Sequence, residues 1–320
     1  MTRASAADFS YSITVHSPAL EKLIDPHVEI EVLAEGFQWS EGPVWIDNEA
    51  EAYLLFSDVP QNKIYRWSAP SGLSVFLDPA GFEGEDAGAF REPGTNGLIR
   101  FDDDHIIAAN HGQRALSLIN LRSLRKTTIV NSYQDKSLNS PNDVVMAGNG
   151  DLYFTDPPYG LKGINKSPLK ELSFNGVYLR KKSGELKLVD NGLSYPNGIG
   201  LSPDETTLYV SVSDPQGALW MRYSLDATGM PIKSDVLYDV TGQAGAGLPD
   251  GLSVDAKGNI FATGPGGIYV FSQEAELLGT INLDRAAANC TFGSGDGTIL
   301  YITAGNILIR VPTKTRGIRH

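Results

Sequence analysis

The strongest constraint on this chain is that it repeats itself. One order recurs: a small polar pair, a short apolar run, a turn, and a second apolar run ending in small or polar residues. Pro141-Asn142-Asp143-Val144-Val145-Met146 turns at Gly148-Asn149-Gly150 and returns through Leu152-Tyr153-Phe154-Thr155-Asp156. Pro196-Asn197-Gly198-Ile199 returns through Leu208-Tyr209-Val210-Ser211, and Pro249-Asp250-Gly251-Leu252 through Ile260-Phe261-Ala262-Thr263. Earlier copies begin at Ser40-Glu41-Gly42-Pro43 and Thr95-Asn96-Gly97-Leu98, and a weaker sixth begins at Ala288-Asn289-Cys290. A third strand follows each hairpin, such as Ile64-Tyr65-Arg66-Trp67 or Ile268-Tyr269-Val270-Phe271, and most copies show a fourth. Four strands recurring at roughly 40 to 55 residues mark a β-propeller. The expected fold is therefore all-β: six blades of four antiparallel strands.

The chain ends test this expectation. After the third strand of the last copy about ten residues remain, too few for a loop and a fourth strand. The alternating segment Val28-Glu29-Ile30-Glu31-Val32-Leu33 has no partner ahead of the first copy. An N-terminal strand joining the last blade closes the ring and removes two exposed edges. The expected organisation is an extension over 1–27 with one short helix at Ser17–Ile24, a propeller over 28–316, and a tail over 317–320. Pro79–Gly94, acidic and glycine-rich, and Thr241–Gly247 are read as inter-blade loops.

Composition excludes several classes. Net charge is −12, with no Lys/Arg-rich block, so neither nucleic acid nor an anionic membrane is an expected partner. The single cysteine, Cys290, rules out an intrachain disulfide framework and is expected to be a small buried side chain. No apolar run reaches the ~18 residues of a membrane helix. Met1–Ala7 lacks a long apolar core, which points to a cytoplasmic protein, or to an exported one whose leader has been removed. No Gly-x-Ser-x-Gly elbow occurs, and Gly264-Pro265-Gly266-Gly267 reads as a tight turn.

Glu41, Asn96, Asn142, Asn197, Asp250 and Asn289 occupy one repeated position. In antiparallel hairpins that position lies at one face of the disc, where the innermost strands converge on the axis. A lone Asn or Asp before a strand is an ordinary turn former. Six such groups facing one another want a cation, ordered water, or both. Oxygen donors alone suit a hard divalent ion. Glu41 and Asp250 with the amides of Asn142 and Asn197 would neutralise one, with Ca²⁺ the first choice and Mg²⁺, Mn²⁺ or Zn²⁺ the alternatives. Asp58, His111, Asp156, Tyr159 and Asp214 follow second strands and reach the same face.

Ser40-Glu41-Gly42-Pro43-Val44-Trp45, Asn139-Ser140-Pro141-Asn142-Asp143-Val144, Phe154-Thr155-Asp156-Pro157-Pro158-Tyr159-Gly160, Tyr195-Pro196-Asn197-Gly198 and Leu248-Pro249-Asp250-Gly251 together resemble the senescence marker protein/gluconolactonase/luciferin-regenerating enzyme family. The likeness spans about Val28 to Arg316 and looks most like bacterial gluconolactonases. It implies one catalytic divalent ion, usually Ca²⁺, held by Glu41, Asn142, Asn197 and Asp250, with Asp250 also acting on water. Asn96 falls on a family Asn that contacts substrate hydroxyls; Arg91 lies near, but out of register with, an Arg found in some members. The expected reaction is hydrolysis of an aldonolactone, D-glucono-1,5-lactone first, with the ion as Lewis acid and Asn96, His111 and Tyr159 holding hydroxyls. A pentonolactone, an organophosphate triester on the same site, or a non-catalytic propeller scaffold are the alternatives.

Overall fold

A computed structural model describes residues 9–47 and 52–318; the readings of Met1–Ala7 and of the last two tail residues fall outside these. Six antiparallel sheets follow one another as blades, blade five with five strands and the others with four, and in the first four blades the strands run in chain order from inner to outer. The inner strands are Ser40–Asp47, Thr95–Arg100, Val144–Met146, Pro196–Leu201, Leu252–Val254 and Asn289–Gly293. Glu31–Glu35 pairs with Ile307–Pro312 and supplies the outer strand of blade six, so the ring closes as expected.

Each blade is buried on both faces, which explains why its strands read as nearly continuous apolar runs rather than alternating ones. Alternate residues serve alternate neighbours. Tyr53 and Leu55 pack toward blade two with Leu98, Ile106 and Ala108. Leu54 and Phe56, which alternate with them in sequence, pack toward blade six with Tyr301 and Leu308. The remaining four interfaces hold comparable apolar clusters. Each fully buried Leu or Phe contributes about 1.5–3 kcal/mol to holding a blade against the next.

Both ends of the chain do more than the sequence suggested. Tyr11–Val15 adds a fifth strand to blade five, Tyr11 opposite Leu283 and Val15 opposite Gly279. It covers that blade's outer edge. The short helix is a 3₁₀ turn, Pro18–Lys22, whose Leu20, together with Leu23 and Ile24, packs into the cluster between blades five and six. At the other end Gly317 bridges Asp255, and the Ala256 amide donates to the Arg316 carbonyl at 2.8 Å.

Glycine after the anchor lets the inner strands crowd together. A Cβ on Gly42, at φ +46, would lie 2.0 Å from the Asn96 carbonyl oxygen, and one on Gly198 would lie 2.1 Å from that of Asp250. These glycines are points of close backbone approach rather than turn tips. The small polar residues that end the second strands tie the blades there. Ser57 Oγ donates to the Asn96 carbonyl at 2.8 Å, and Thr155 Oγ1 donates to the Asn197 carbonyl at 2.6 Å.

Candidate active site

Strand irregularities aim the repeated side chains inward. The pairing register slips between Glu41 and Val44, between Thr95 and Leu98, and between Pro196 and Ile199. A bulge turns a side chain off the sheet face, here toward the axis. Glu41, Asn96, Asn142, Asn197 and Asp250 form the floor of one cavity of about 600 Å³. Its walls include Trp39, Pro60, Arg91, Glu92, Tyr159 and Leu248. The sixth anchor, Asn289, borders a smaller space of about 140 Å³ beneath the floor, beside Asp143 and Cys290.

A directional chain of hydrogen bonds holds the floor amides. Asn96 Nδ2 donates to Asn142 Oδ1 at 2.7 Å, and Asn142 Nδ2 donates to Asn197 Oδ1. Asn197 Nδ2 donates to Ser213 Oγ at 2.8 Å, and Ser213 donates to the Pro249 carbonyl. The chain thus crosses from blade two to the residue before Asp250. Asn96 Oδ1 and Asp250 Oδ1 are buried and accept no hydrogen bond.

The two floor carboxylates are uncompensated. Glu41 accepts from the Gly42 amide at 3.0 Å and weakly from Trp39 Nε1 at 3.4 Å. Burial, aided by the charge of Asp143, pushes its carboxyl up to about 8. Asp250 rises well above the ordinary carboxylate range, first through burial and then through Glu41, Asp143 and Glu92. Only acidic groups act on it by charge. Asp143, placed under the floor, is likewise pushed up by burial, to about 7.

His111 and Tyr159 sit differently. His111 is fully buried behind the wall rather than lining it, with both ring nitrogens unpartnered; burial lowers it to about 4, which makes it a neutral imidazole. Tyr159 does line the cavity and stacks on Tyr195 with ring centres 5.8 Å apart. Its hydroxyl is buried and makes no hydrogen bond.

Three cavity residues were not singled out from the sequence. Trp39 sits two positions before its anchor and Ser213 is the last residue but one of the second strand Thr207–Asp214. Glu92 lies in the acidic loop, where a charge run reads as a solvated surface; the signal was its place four residues ahead of an anchor. A cavity of about 670 Å³ at the rim of blades two and three gathers no such set of polar groups; it is lined mainly by apolar side chains, with Arg180 and Lys182.

The donor set suits a hard cation. No group of three or more His, Cys, Asp or Glu that could hold a metal occurs among the described residues, so amide oxygens must complete any coordination. Two buried carboxylates, one with an unclaimed oxygen on Asp250, and the amide oxygens of Asn142 and Asn197 fit a divalent ion that takes oxygen ligands.

A closed propeller with such a site at one end of its axis defines a class of small-molecule enzymes rather than a particular one. Residues 39–306 match the family described as SMP-30/Gluconolactonase/LRE-like region, and the chain belongs to that family. It is 44% identical to the gluconolactonase of Zymomonas mobilis over 312 residues, 95% of this chain and 87% of that protein. A gluconolactonase structure from Xanthomonas campestris superposes with a TM-score of 0.81 at 28% identity, covering 96% of this chain and 95% of the other. The calcium-binding protein regucalcin from Agrobacterium tumefaciens shares the fold, with a TM-score of 0.72 at 20% identity over 91% of this chain and 96% of its own. These likenesses make the protein a gluconolactonase-like enzyme.

Proposed function

We propose that this protein hydrolyses an aldonolactone, D-glucono-1,5-lactone in the first instance, with one divalent cation held by Glu41, Asn142, Asn197 and Asp250. The observation that carries the reading is the buried pair Glu41 and Asp250 at the cavity floor, with no basic partner and an unclaimed oxygen on Asp250. Two buried anions without compensation are costly to keep. A cation resolves that cost, and Ca²⁺ tolerates the mixed carboxylate and amide set best. When bound, the ion supplies Lewis-acid stabilisation for the lactone carbonyl oxygen.

The chain's own residues do the rest. Asp250 orients the attacking water and accepts its proton. Asn96 offers its free Oδ1 to a sugar hydroxyl, and Tyr159 its unpaired hydroxyl. His111, one layer back, fixes the wall beside Asn142 and Glu92. A polyol is the better fit to Arg91, Glu92, Asn96 and Ser213 along the walls and floor than an apolar ester. The 44% identical gluconolactonase supports the same substrate class.

Acid release from gluconolactone, above the uncatalysed rate, tests the reaction. EDTA should abolish it and Ca²⁺ restore it, and calorimetry should show Ca²⁺ binding that Asp250→Asn loses. Turnover that survives exhaustive removal of the ion overturns the cation's part. Absence of turnover on every aldonolactone tried overturns the substrate.

A further inference from the structure

Lactone hydrolysis moves a proton at two places, and the floor accounts for one. Water gives up a proton as it attacks. The ring oxygen must then take one up as its bond to the carbonyl carbon breaks, because an aliphatic alkoxide is a poor leaving group. Asp250, at the head of blade five, serves the first event. The second needs a proton donor on another side of the cavity.

Glu92 stands there. It belongs to the loop that feeds blade two, which faces blade five across a six-bladed ring. The loop is pinned from three sides: Arg91 N donates to the Gly160 carbonyl at 2.9 Å, Phe90 bridges Leu161, and Gly94 N donates to the Val59 carbonyl at 3.0 Å. The Glu92 side chain is 12% exposed and lines the cavity. Its Oε1 lies 2.9 Å from Arg91 Nη2, while Oε2 is 3.7 Å from His111 Nδ1, beyond hydrogen-bond length. One oxygen is held and the other is free.

The other wall groups are unsuited to the task. Arg91 does not give up its proton. His111 is neutral and does not reach the cavity. Burial drives the Tyr159 hydroxyl to a still weaker acidity than an ordinary phenol. Burial lifts Glu92 to about 7 against the pull of Arg91, so the carboxyl is partly protonated near neutrality. Arg91, His111 and Asp250 are the titratable or charged groups facing it.

We propose that Glu92 is the general acid of this site, giving the proton from its free oxygen to the lactone ring oxygen as the ring opens. The inference rests on the hydrolytic reading above. Asp250 takes a proton from water, the hydroxyl oxygen bonds to the carbonyl carbon, and the tetrahedral intermediate expels the ring oxygen with the electron pair of the breaking bond. Glu92 protonates that oxygen, leaving a hydroxy acid; solvent returns a proton to Glu92 and removes one from Asp250. Lactone plus water equals product, and no oxidant or reductant enters.

Three six-membered lactones test it: D-glucono-1,5-lactone, δ-valerolactone and dihydrocoumarin. The first two expel an alkoxide, while dihydrocoumarin expels a phenoxide, which leaves without protonation. Glu92→Gln should lower kcat on both alkoxide-leaving lactones by about 10² to 10³-fold and leave dihydrocoumarin within about threefold. Glu92→Asp, which keeps the acid, should recover part of the loss and serves where the amide variant folds poorly. Equal losses on all three substrates overturn the proposal in favour of a structural role. A loss confined to gluconolactone overturns it in favour of a hydroxyl-binding role. Wild-type protein that turns over none of the three overturns the hydrolytic reading itself, a distinct result.

Discussion

Two sets of buried carboxylates share one face of the disc, and they behave differently. Asp58 and Asp156 end the second strands of blades one and three. Asp58 accepts the amides of Gln38 at 3.0 Å and Trp39 at 3.3 Å, and Asp156 accepts that of Asn139 at 2.8 Å. Gln38 and Asn139 each lie three residues before an anchor, so these aspartates clamp the segment that leads into the floor. Both are raised by burial, but basic neighbours offset part of it: Lys63 for Asp58, and Arg114 and Lys170 for Asp156. The charges that act on Glu41 and Asp250 are acidic ones, with no basic neighbour of this kind. The lesson is that burial and residue type do not separate a structural carboxylate from a functional one. Compensation does.

The sharpest way to break this contrast is to neutralise one member of each set. Asp250→Asn should lower kcat by about 10³-fold or more, while the ion-free protein melts no lower than wild type, because an uncompensated charge has been removed. Asp58→Ala should do the reverse, lowering stability by about 1–3 kcal/mol while kcat stays within about tenfold. Matching effects in the two variants, read by steady-state kinetics and thermal melts, would erase the distinction.

A somewhat smaller effect tests how the floor is held. Gly42→Ala forces a Cβ to 2.0 Å from the Asn96 carbonyl oxygen and should destabilise by about 3 kcal/mol. Gly217→Ala, with no heavy atom within 4 Å, should fall within about 0.5 kcal/mol of wild type. Denaturant titration compares them.

A further test is one of pH. Glu41 rises to about 8, and Glu92, Asp143 and Asp156 to about 7, so between the unfolded carboxylate range and these values the folded state binds more protons. Stability of the ion-free protein should therefore fall as pH rises from about 4.5 to 8, by at most about 1.4 kcal/mol per unit for each group. Added Ca²⁺ should stabilise more at pH 8 than at pH 5. Melting temperatures across that range, with EDTA and with Ca²⁺, check both slopes; a flat ion-free profile would argue against buried, uncompensated carboxylates.

The repeat made the propeller, its closure and the six anchor positions legible, because each copy spells the same physical problem. Other features left only local traces. Tyr11-Ser12-Ile13-Thr14-Val15 alternates like a strand, yet nothing nearby in sequence names Leu277–Leu283 as its partner. Asp143 stands where four of the other five copies carry glycine, but the space that admits its side chain belongs to the neighbouring blades. Glu92 shares a loop with Glu83, Glu85 and Asp86, which are exposed, and only the pinning of Arg91 to Gly160 turns it inward.

By itself the order of residues determined that six similar units close into a ring and that acidic and amide side chains gather at one end of its axis. Periodicity and strand pairing are local, so a linear text can carry them. Which carboxylates are compensated, which residue lines the cavity and which stands behind it were decided only by the folded molecule. Charge compensation and exposure depend on contacts between blades, and those distances exist only once the ring has closed.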